Sequence, residues 1–144
     1  PSFSELFLMV QQEVAEKVIA EPGSPDYSLL SIFVNYAAQA EIFGFIDRNC
    51  FAPVPRVDSA ILHLRPRLSS PVDIHSNQGF WQLVKTIFQT RRKTLKNSLK
   101  AMGVPSDILS ALEQKFDLTN RGETLSLAQL AELSNHIHEV VIHS

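Results

Sequence analysis

An aromatic residue followed by closely spaced prolines makes residues 51–60, FAPVPRVDSA, the most unusual segment of the sequence. Pro53 and Pro55 are expected to hold this loop extended, because a proline ring fixes its own φ and restricts the preceding residue. A ring held at the start of such a loop, as Phe51 would be, can stack on a flipped or single-stranded base, which contributes roughly 1–3 kcal/mol per base. The alternative is that Phe51 packs over the end of a sheet. Residue type alone favours packing but does not exclude stacking on a base.

A basic segment at residues 90–100, TRRKTLKNSLK, is the second candidate for chemistry. No acidic residue lies between Asp73 and Asp107, although the whole chain has a net charge of −2. The cations of the segment are Arg91, Arg92, Lys93, Lys96 and Lys100. Arg92, Lys96 and Lys100 recur every four residues, so a helix would place them on one face, which could follow a phosphate backbone. An ordinary solvated basic face is the alternative.

Several other kinds of chemistry find no support in the sequence. Cys50 is the only cysteine, which excludes an internal disulfide framework and a Cys-rich zinc site. The five histidines have no partners at metal-ligand spacing, and there is no glycine-rich phosphate loop. No apolar run is long enough to span a bilayer. We therefore expect a cytoplasmic protein with no metal site and no membrane partner.

Hydrophobic periodicity predicts that the two candidate segments are carried by different kinds of structure. Up to about residue 65, strands and helices alternate as they do at the end of an α/β sheet. The expected elements are strands at residues 5–10, 42–46 and 57–64 and helices at residues 13–20 and 27–40. After the breaker-rich residues 65–71, RPRLSSP, only helical patterns occur, so we place a boundary near residues 68–72. The predicted domains are 1–68 and 69–144.

Two helix starts in the second domain can be predicted from capping signals. Ser106 is the expected N-cap of a helix that follows Pro105. Ser126 and Gln129 have the spacing of a capping box, which predicts the start of a later helix.

Five segments in a fixed order give the chain a recognisable resemblance. They are FLMVQQEVA at 7–15, DY at 26–27 with LS at 30–31, FAPVPRVDSA at 51–60, RRKTLKNSL at 91–99 and RGETLS at 121–126. Together they closely resemble the small-subunit ribosomal RNA adenine dimethyltransferases, from about residue 5 to about residue 135. The chain departs from that family's pattern at Gln12, where the family usually has a lysine, and we assign Gln12 no role.

The resemblance implies a fold and an activity. The fold would be the C-terminal edge of a class I methyltransferase (Rossmann-like) α/β sheet, with the 57–64 strand antiparallel between the other two, followed by a small all-helical domain. The activity would be methyl transfer from S-adenosylmethionine to adjacent adenosines near the 3′ end of small-subunit rRNA. Phe51 would stack on the target adenine, and Pro53, Pro55 and Asp58 would support its loop. The five cations of the basic segment would contact rRNA in the small ribosomal subunit.

The resemblance also implies that the first half of the family's sequence would precede Pro1. The glycine-rich turn, the acidic residue for the cofactor ribose and an Asn-Leu-Pro-Tyr motif belong to that half. No residue of this chain is therefore expected to bind S-adenosylmethionine, and the chain alone is expected to be inactive. Without neighbouring strands, the 5–10 strand would have an open edge, and we expect self-association through it.

Two alternatives differ from this interpretation in function. A non-catalytic RNA-binding or ribosome-assembly factor derived from the same family would keep the cations. The Phe51 loop favours the enzyme, because a pure binder has no need of a stacking ring there. The related methyltransferases that modify large-subunit rRNA and confer macrolide resistance are the other alternative. Residues 91–99 favour the small-subunit branch over them.

Overall fold

A computed structural model describes the backbone of residues 3–143 and the side chains of residues 3–141. The chain divides into two compact units, of which the first ends at Pro71 and the second begins at Val72. Among the described residues, no helix is both long enough and apolar enough to cross a membrane.

The first unit is a three-stranded antiparallel sheet with two helices. Its elements are β1 (Leu6–Gln11), α1 (Gln12–Ile19), α2 (Leu29–Ala37), β2 (Ala38–Ile46), a 3₁₀ helix (Arg48–Cys50) and β3 (Ser59–Pro66). The strand order is β1-β3-β2, and β3 runs antiparallel to both neighbours. The central antiparallel position predicted for the third strand is therefore confirmed.

The boundary between α2 and β2 lies earlier in the chain than the sequence predicted. The helix expected at 27–40 ends at Ala37, and the strand expected at 42–46 begins at Ala38. Arg67 closes the helix, because its backbone N–H donates to the carbonyl of Ala37 at 2.9 Å and its Nε to the carbonyl of Asn35 at 2.8 Å. Two alanines at the start of β2 favoured a helical interpretation, although burial alternates along the strand from Ala38 onward.

One face of the sheet packs against the helices and forms the core of the unit. Ala15 and Val18 of α1 are buried against Ala60 and Leu62 of β3. No described element of this unit covers the opposite face, and Phe7, Met9 and Phe43 on it are 49%, 59% and 66% exposed. The sheet of this unit is therefore covered on one side only.

The second unit is helical. Its elements are α3 (Asn77–Gln89), α4 (Leu95–Ala101), α5 (Ser106–Leu112), a 3₁₀ helix (Gly122–Thr124) and α6 (Leu127–His143). The core is built from apolar side chains at helical spacing. The largest fully buried ones are Phe80, Leu83, Val84, Ile87, Leu95, Leu99, Leu109, Leu130 and Leu133. This core fixes both ends of the segment between α3 and α4.

The helix caps confirm one prediction and correct another. Ser126 Oγ accepts from the N–H of Gln129 at 3.2 Å, and Gln129 Oε1 accepts from the N–H of Ser126 at 2.9 Å, so the predicted capping box is present. Ser106 is not the cap of α5, because Pro105 occupies that position and Ser106 is the first helical residue. Pro105 takes the extended conformation that an N-cap requires, with φ −62° and ψ 155°.

Candidate nucleic-acid interface

The loop between β2 and β3 carries Phe51. The side chain of Phe51 is half-buried, and its backbone N–H donates to the carbonyl of Arg48 at 3.2 Å. The chain bends at residues 51–53, and the Ala52–Pro53 peptide bond is cis. The prediction that the two prolines hold the whole loop extended is therefore wrong for this part. Pro53 and Pro55 lie on the exposed side of the loop.

Polar contacts close the base of this loop. Asp58 Oδ1 accepts from the backbone N–H of Arg48 at 2.8 Å and lies 3.4 Å from Arg48 Nε. Arg48 Nη1 donates to the carbonyl of Arg56 at 2.9 Å. The carbonyl of Asp58 also accepts from the N–H of Gln12 at 3.0 Å, which joins the loop to the first residue of α1. Asp58 thus has contacts on both sides of the loop, and Arg48 is a participant that the sequence did not suggest.

The basic segment of the second unit is a turn followed by a helix. Arg92 and Lys93 lie in the turn, because Thr94 is the N-cap of α4 and its Oγ1 accepts from the N–H of Asn97 at 3.3 Å. The predicted helical face of Arg92, Lys96 and Lys100 is therefore wrong: only the two lysines are on the helix. The N-cap threonine sets this boundary, since its extended backbone cannot continue a helix toward the N-terminus.

Tertiary structure brings carboxylates to two of the five cations. Arg91 Nε lies 2.7 Å from Glu123 Oε2, and its guanidinium lies 5.8 Å from the centre of the Phe88 ring. Lys96 pairs with Glu113. Arg92, Lys93 and Lys100 are exposed, and no ion pair of theirs occurs among the described side chains. The basic segment at residues 90–100 therefore has three solvent-facing cations and two that are paired with carboxylates.

A further cation, Arg121, is brought to the basic turn by the fold. Thr94 and Arg121 form an isolated antiparallel bridge, and the N–H of Leu95 donates to the carbonyl of Asn120 at 2.7 Å. Arg121 is exposed. Sequence reasoning missed it as a site residue because it is distant in the chain, although RGETLS was among the segments that carried the resemblance.

Hydrogen bonds order the chain that leads to Arg121. Asp117 Oδ1 accepts from the backbone N–H of Thr119 at 3.0 Å and from its hydroxyl at 2.5 Å, and Asp117 Oδ2 accepts from Asn120 Nδ2 at 3.1 Å. The bonds from the Thr119 side chain and backbone hold the pKa of the Asp117 carboxyl below its usual range. Asp117 therefore stays charged at a lower pH than an ordinary aspartate, and its hydrogen bonds keep this turn in place.

The described residues offer no metal centre: nowhere do three or more His, Cys, Asp or Glu side chains gather closely enough to hold an ion.

The two candidate sites are the Phe51 loop of the first unit, whose base is closed by polar contacts, and the basic turn of the second. Both consist of groups that bind, stack on or orient a partner. Neither contains a nucleophile paired with a base.

Comparison with known proteins gives a consistent result. Residues 1–139 match the family described as Ribosomal RNA adenine dimethylase. The chain is 39% identical over 142 residues to Ribosomal RNA small subunit methyltransferase A of Clostridium botulinum (strain Loch Maree / Type A3), covering 96% of this chain and 51% of that protein. It is 45% identical over 140 residues to the protein of the same name from Halothermothrix orenii, covering 93% of this chain and 46% of that protein. The chain thus spans about half the length of these curated relatives.

Two solved structures share the fold. A dimethyladenosine transferase from Plasmodium falciparum superimposes with a TM-score of 0.81 at 26% identity, over 96% of this chain and 58% of that chain. The 23S rRNA methyltransferase ErmE superimposes with a TM-score of 0.58 at 24% identity, over 96% and 55%, and shows the fold alone. The fold is thus consistent with that of methyltransferases, and the family match extends over both candidate sites. The chain belongs to the ribosomal RNA adenine dimethylase family.

Proposed function

We propose that this chain is the C-terminal half of an S-adenosylmethionine-dependent rRNA adenine dimethyltransferase that acts on adjacent adenosines near the 3′ end of small-subunit rRNA. The observation that carries the proposal is the family match over residues 1–139, which includes the framed loop of Phe51. The first unit would be the C-terminal edge of a class I methyltransferase sheet, and the second an rRNA-binding helical domain. The protein would act in the cytoplasm.

Phe51 would hold the target base. An adenine amine is a poor nucleophile, so catalysis depends on holding its nitrogen at a fixed place and angle. A half-buried ring whose own backbone is hydrogen-bonded to Arg48 can provide one stacking surface for that purpose. Asp58 supports the loop from its base, while Pro53 and Pro55 shape its exposed side.

The cofactor would be held outside this chain. A dinucleotide-type or methyl-donor cofactor is commonly cradled by a glycine-rich turn between a strand and a helix. Here β1 passes directly into α1 at Gln11 and Gln12, without a glycine. Gly44 lies within β2, and Gly23 lies in the connection between α1 and α2. These residues do not fit an S-adenosylmethionine site, so we assign the cofactor to the part of the protein that the curated relatives have in addition.

The second unit would bind rRNA through its basic turn. Arg92, Lys93 and Lys100 are exposed and can contact phosphates directly, and Arg121 extends the same surface. Arg91 and Lys96 would contribute mainly by fixing the turn through their pairs with Glu123 and Glu113. The proposed partner is the small ribosomal subunit, because the curated relatives are small-subunit rRNA methyltransferases.

The proposal is tested on the full-length gene product that contains this sequence. Undermethylated small ribosomal subunits are incubated with radiolabelled S-adenosylmethionine, and label in rRNA is measured for the wild type and for Phe51→Ala. We expect a loss of roughly tenfold to a hundredfold, because a base stack contributes about 1–3 kcal/mol. Phe33→Ala is the matched control, since Phe33 is an exposed phenylalanine on α2, and it should keep full activity. Equal methylation by the wild type and by Phe51→Ala would show that Phe51 is not part of the site.

A non-catalytic RNA-binding or ribosome-assembly factor is the second candidate. The three exposed cations, for which no ion pair occurs among the described side chains, are compatible with it, because they would bind rRNA whether or not a methyl group is transferred. Binding of small-subunit rRNA by the full-length product without any transfer of label would support this candidate and reject the enzyme.

A further inference from the structure

We infer that Arg48 is a positioning residue for the ring of Phe51, holding the loop in the conformation in which that ring meets the target adenine. The inference rests on the proposed function of Phe51 and concerns the same site. Arg48 is the first residue of the 3₁₀ helix that leads to Phe51, and no pattern in the sequence indicates a role for it.

Arg48 contacts the loop at three separate points. Its backbone N–H donates to Asp58 Oδ1 at 2.8 Å, and its Nη1 donates to the carbonyl of Arg56 at 2.9 Å. Its own carbonyl accepts from the N–H of Phe51 at 3.2 Å. One residue thus links the returning limb of the loop, at residues 56 and 58, to the backbone of the residue that bears the ring.

The guanidinium geometry explains why an arginine suits this place. Nε faces the Asp58 carboxylate at 3.4 Å while Nη1 reaches the Arg56 carbonyl, so two nitrogens of one planar group serve two different acceptors. A lysine carries its three donors on a single nitrogen and cannot place donors at two separated, fixed positions as the guanidinium does. The Asp58 side chain is about one-third exposed and that of Arg48 about one-half. An ion pair this exposed adds little to stability, so its main effect is to hold the loop in one conformation.

A direct role is the competing explanation, because an exposed cation in this loop could itself bind an rRNA phosphate. The two roles differ in what they change. A phosphate contact governs affinity and its salt dependence. A residue that orients the ring governs the rate of the bound complex, since misplacement of reacting groups by about 1 Å can cost on the order of a hundredfold.

The test measures kcat and KM for small ribosomal subunits in the full-length gene product. Arg48→Ala and Arg48→Lys are both expected to lower kcat by roughly tenfold with little change in KM. Arg56→Ala is the matched control: it removes a cation from the same loop but keeps the backbone carbonyl that Arg48 contacts, and its kcat should equal that of the wild type. If Arg48→Lys retains the wild-type kcat, or if the variants raise KM alone, the positioning role is rejected.

A double-mutant cycle with Phe51→Ala separates this inference from the proposed function. If Arg48 acts through the ring, Arg48→Ala costs nothing further in the Phe51→Ala background. Additive losses would overturn the inference while leaving Phe51 in place. If Phe51→Ala alone has no effect, both the inference about Arg48 and the proposed role of Phe51 are overturned. In the 144-residue chain, Arg48→Ala keeps the carbonyl that accepts from the Phe51 N–H but removes the guanidinium contacts to Asp58 and Arg56. Amide exchange of Phe51 should therefore speed up because the loop opens more often, whereas Arg56→Ala should leave it unchanged.

Discussion

At the scale of single residues, the ion pairs divide the cations of the basic segment into a paired set and an exposed set. Arg91 is paired with Glu123 and Lys96 with Glu113, whereas Arg92 and Lys93 are exposed in the turn. A cation already paired within the protein gains less from a phosphate, because its own carboxylate partner must first be displaced. The exposed residues should therefore dominate binding to rRNA.

Removal of the exposed cations should weaken rRNA binding in a salt-dependent manner. Arg92→Ala and Lys93→Ala are each expected to reduce the slope of log affinity against log salt by about 1, since each removes one phosphate contact. The measurement is a salt titration of binding between the chain and an rRNA fragment. Lys85→Ala, which removes an exposed cation from α3, is the matched control and should keep the wild-type slope. An unchanged slope for all variants would place the RNA surface elsewhere.

At the scale of elements, the position of the basic turn depends on the approach of the Gly122–Thr124 3₁₀ helix to α3. A Cβ placed on Gly122 would lie 2.6 Å from Ile87 Cγ2 and 2.8 Å from Ile87 Cγ1. Ile87 is buried, so its side chain has little room to move. Since Gly122 separates Arg121 from Glu123, this close approach fixes both the exposed cation and the partner of Arg91.

Gly122→Ala should therefore destabilise the helical unit by about 1–3 kcal/mol, the usual cost of overpacking a core. The free energy of unfolding is measured by urea denaturation. Gly44→Ala is the control, because nothing lies within 4 Å of its added Cβ. Ile87→Ala combined with Gly122→Ala should cost less than the sum of the two single changes, because the clash has been removed. Strict additivity would show that the cost of Gly122→Ala has another origin.

The elements also show where sequence reasoning succeeded and where it could not. The capping box at Ser126 and the antiparallel central strand follow from local signals or from the family resemblance. The start of β2 was missed because alanine favours helices, and only pairing with β3 makes Ala38 extended. The pairs of Arg91 and Lys96 join residues 32 and 17 positions apart, and no periodic pattern records such contacts. The Arg48 contact to a backbone carbonyl leaves no trace in residue type.

At the scale of the whole molecule, the uncovered sheet is the most consequential feature. β1 lies at one edge of the sheet, and Phe7 and Met9 are exposed on the face that no described element of the first unit covers. An unpaired edge beside an apolar face favours association with another chain. Under the proposed function, the part of the protein that the curated relatives have in addition would cover this surface.

The 144-residue chain should therefore associate in a concentration-dependent manner. Sedimentation velocity should show dimers or larger species, and Met9→Lys should shift the distribution toward monomer, because a buried charge opposes the apolar contact. Leu68→Lys adds the same charge at a fully exposed site outside the strands and should leave the distribution unchanged. A monomer at every concentration would reject association through this surface.

The hydrogen bond from the N–H of Gln12 to the carbonyl of Asp58, at 3.0 Å, joins the first residue of α1, which directly follows β1, to the base of the Phe51 loop. If Phe51 binds a base as proposed, a partner that pairs with β1 and reduces the fluctuations of this bond would also lower the conformational entropy that the loop loses on base binding. By thermodynamic linkage, a base bound at Phe51 would then strengthen the pairing of β1 by the same factor. Sheet pairing and base binding would then be two measures of one coupled equilibrium.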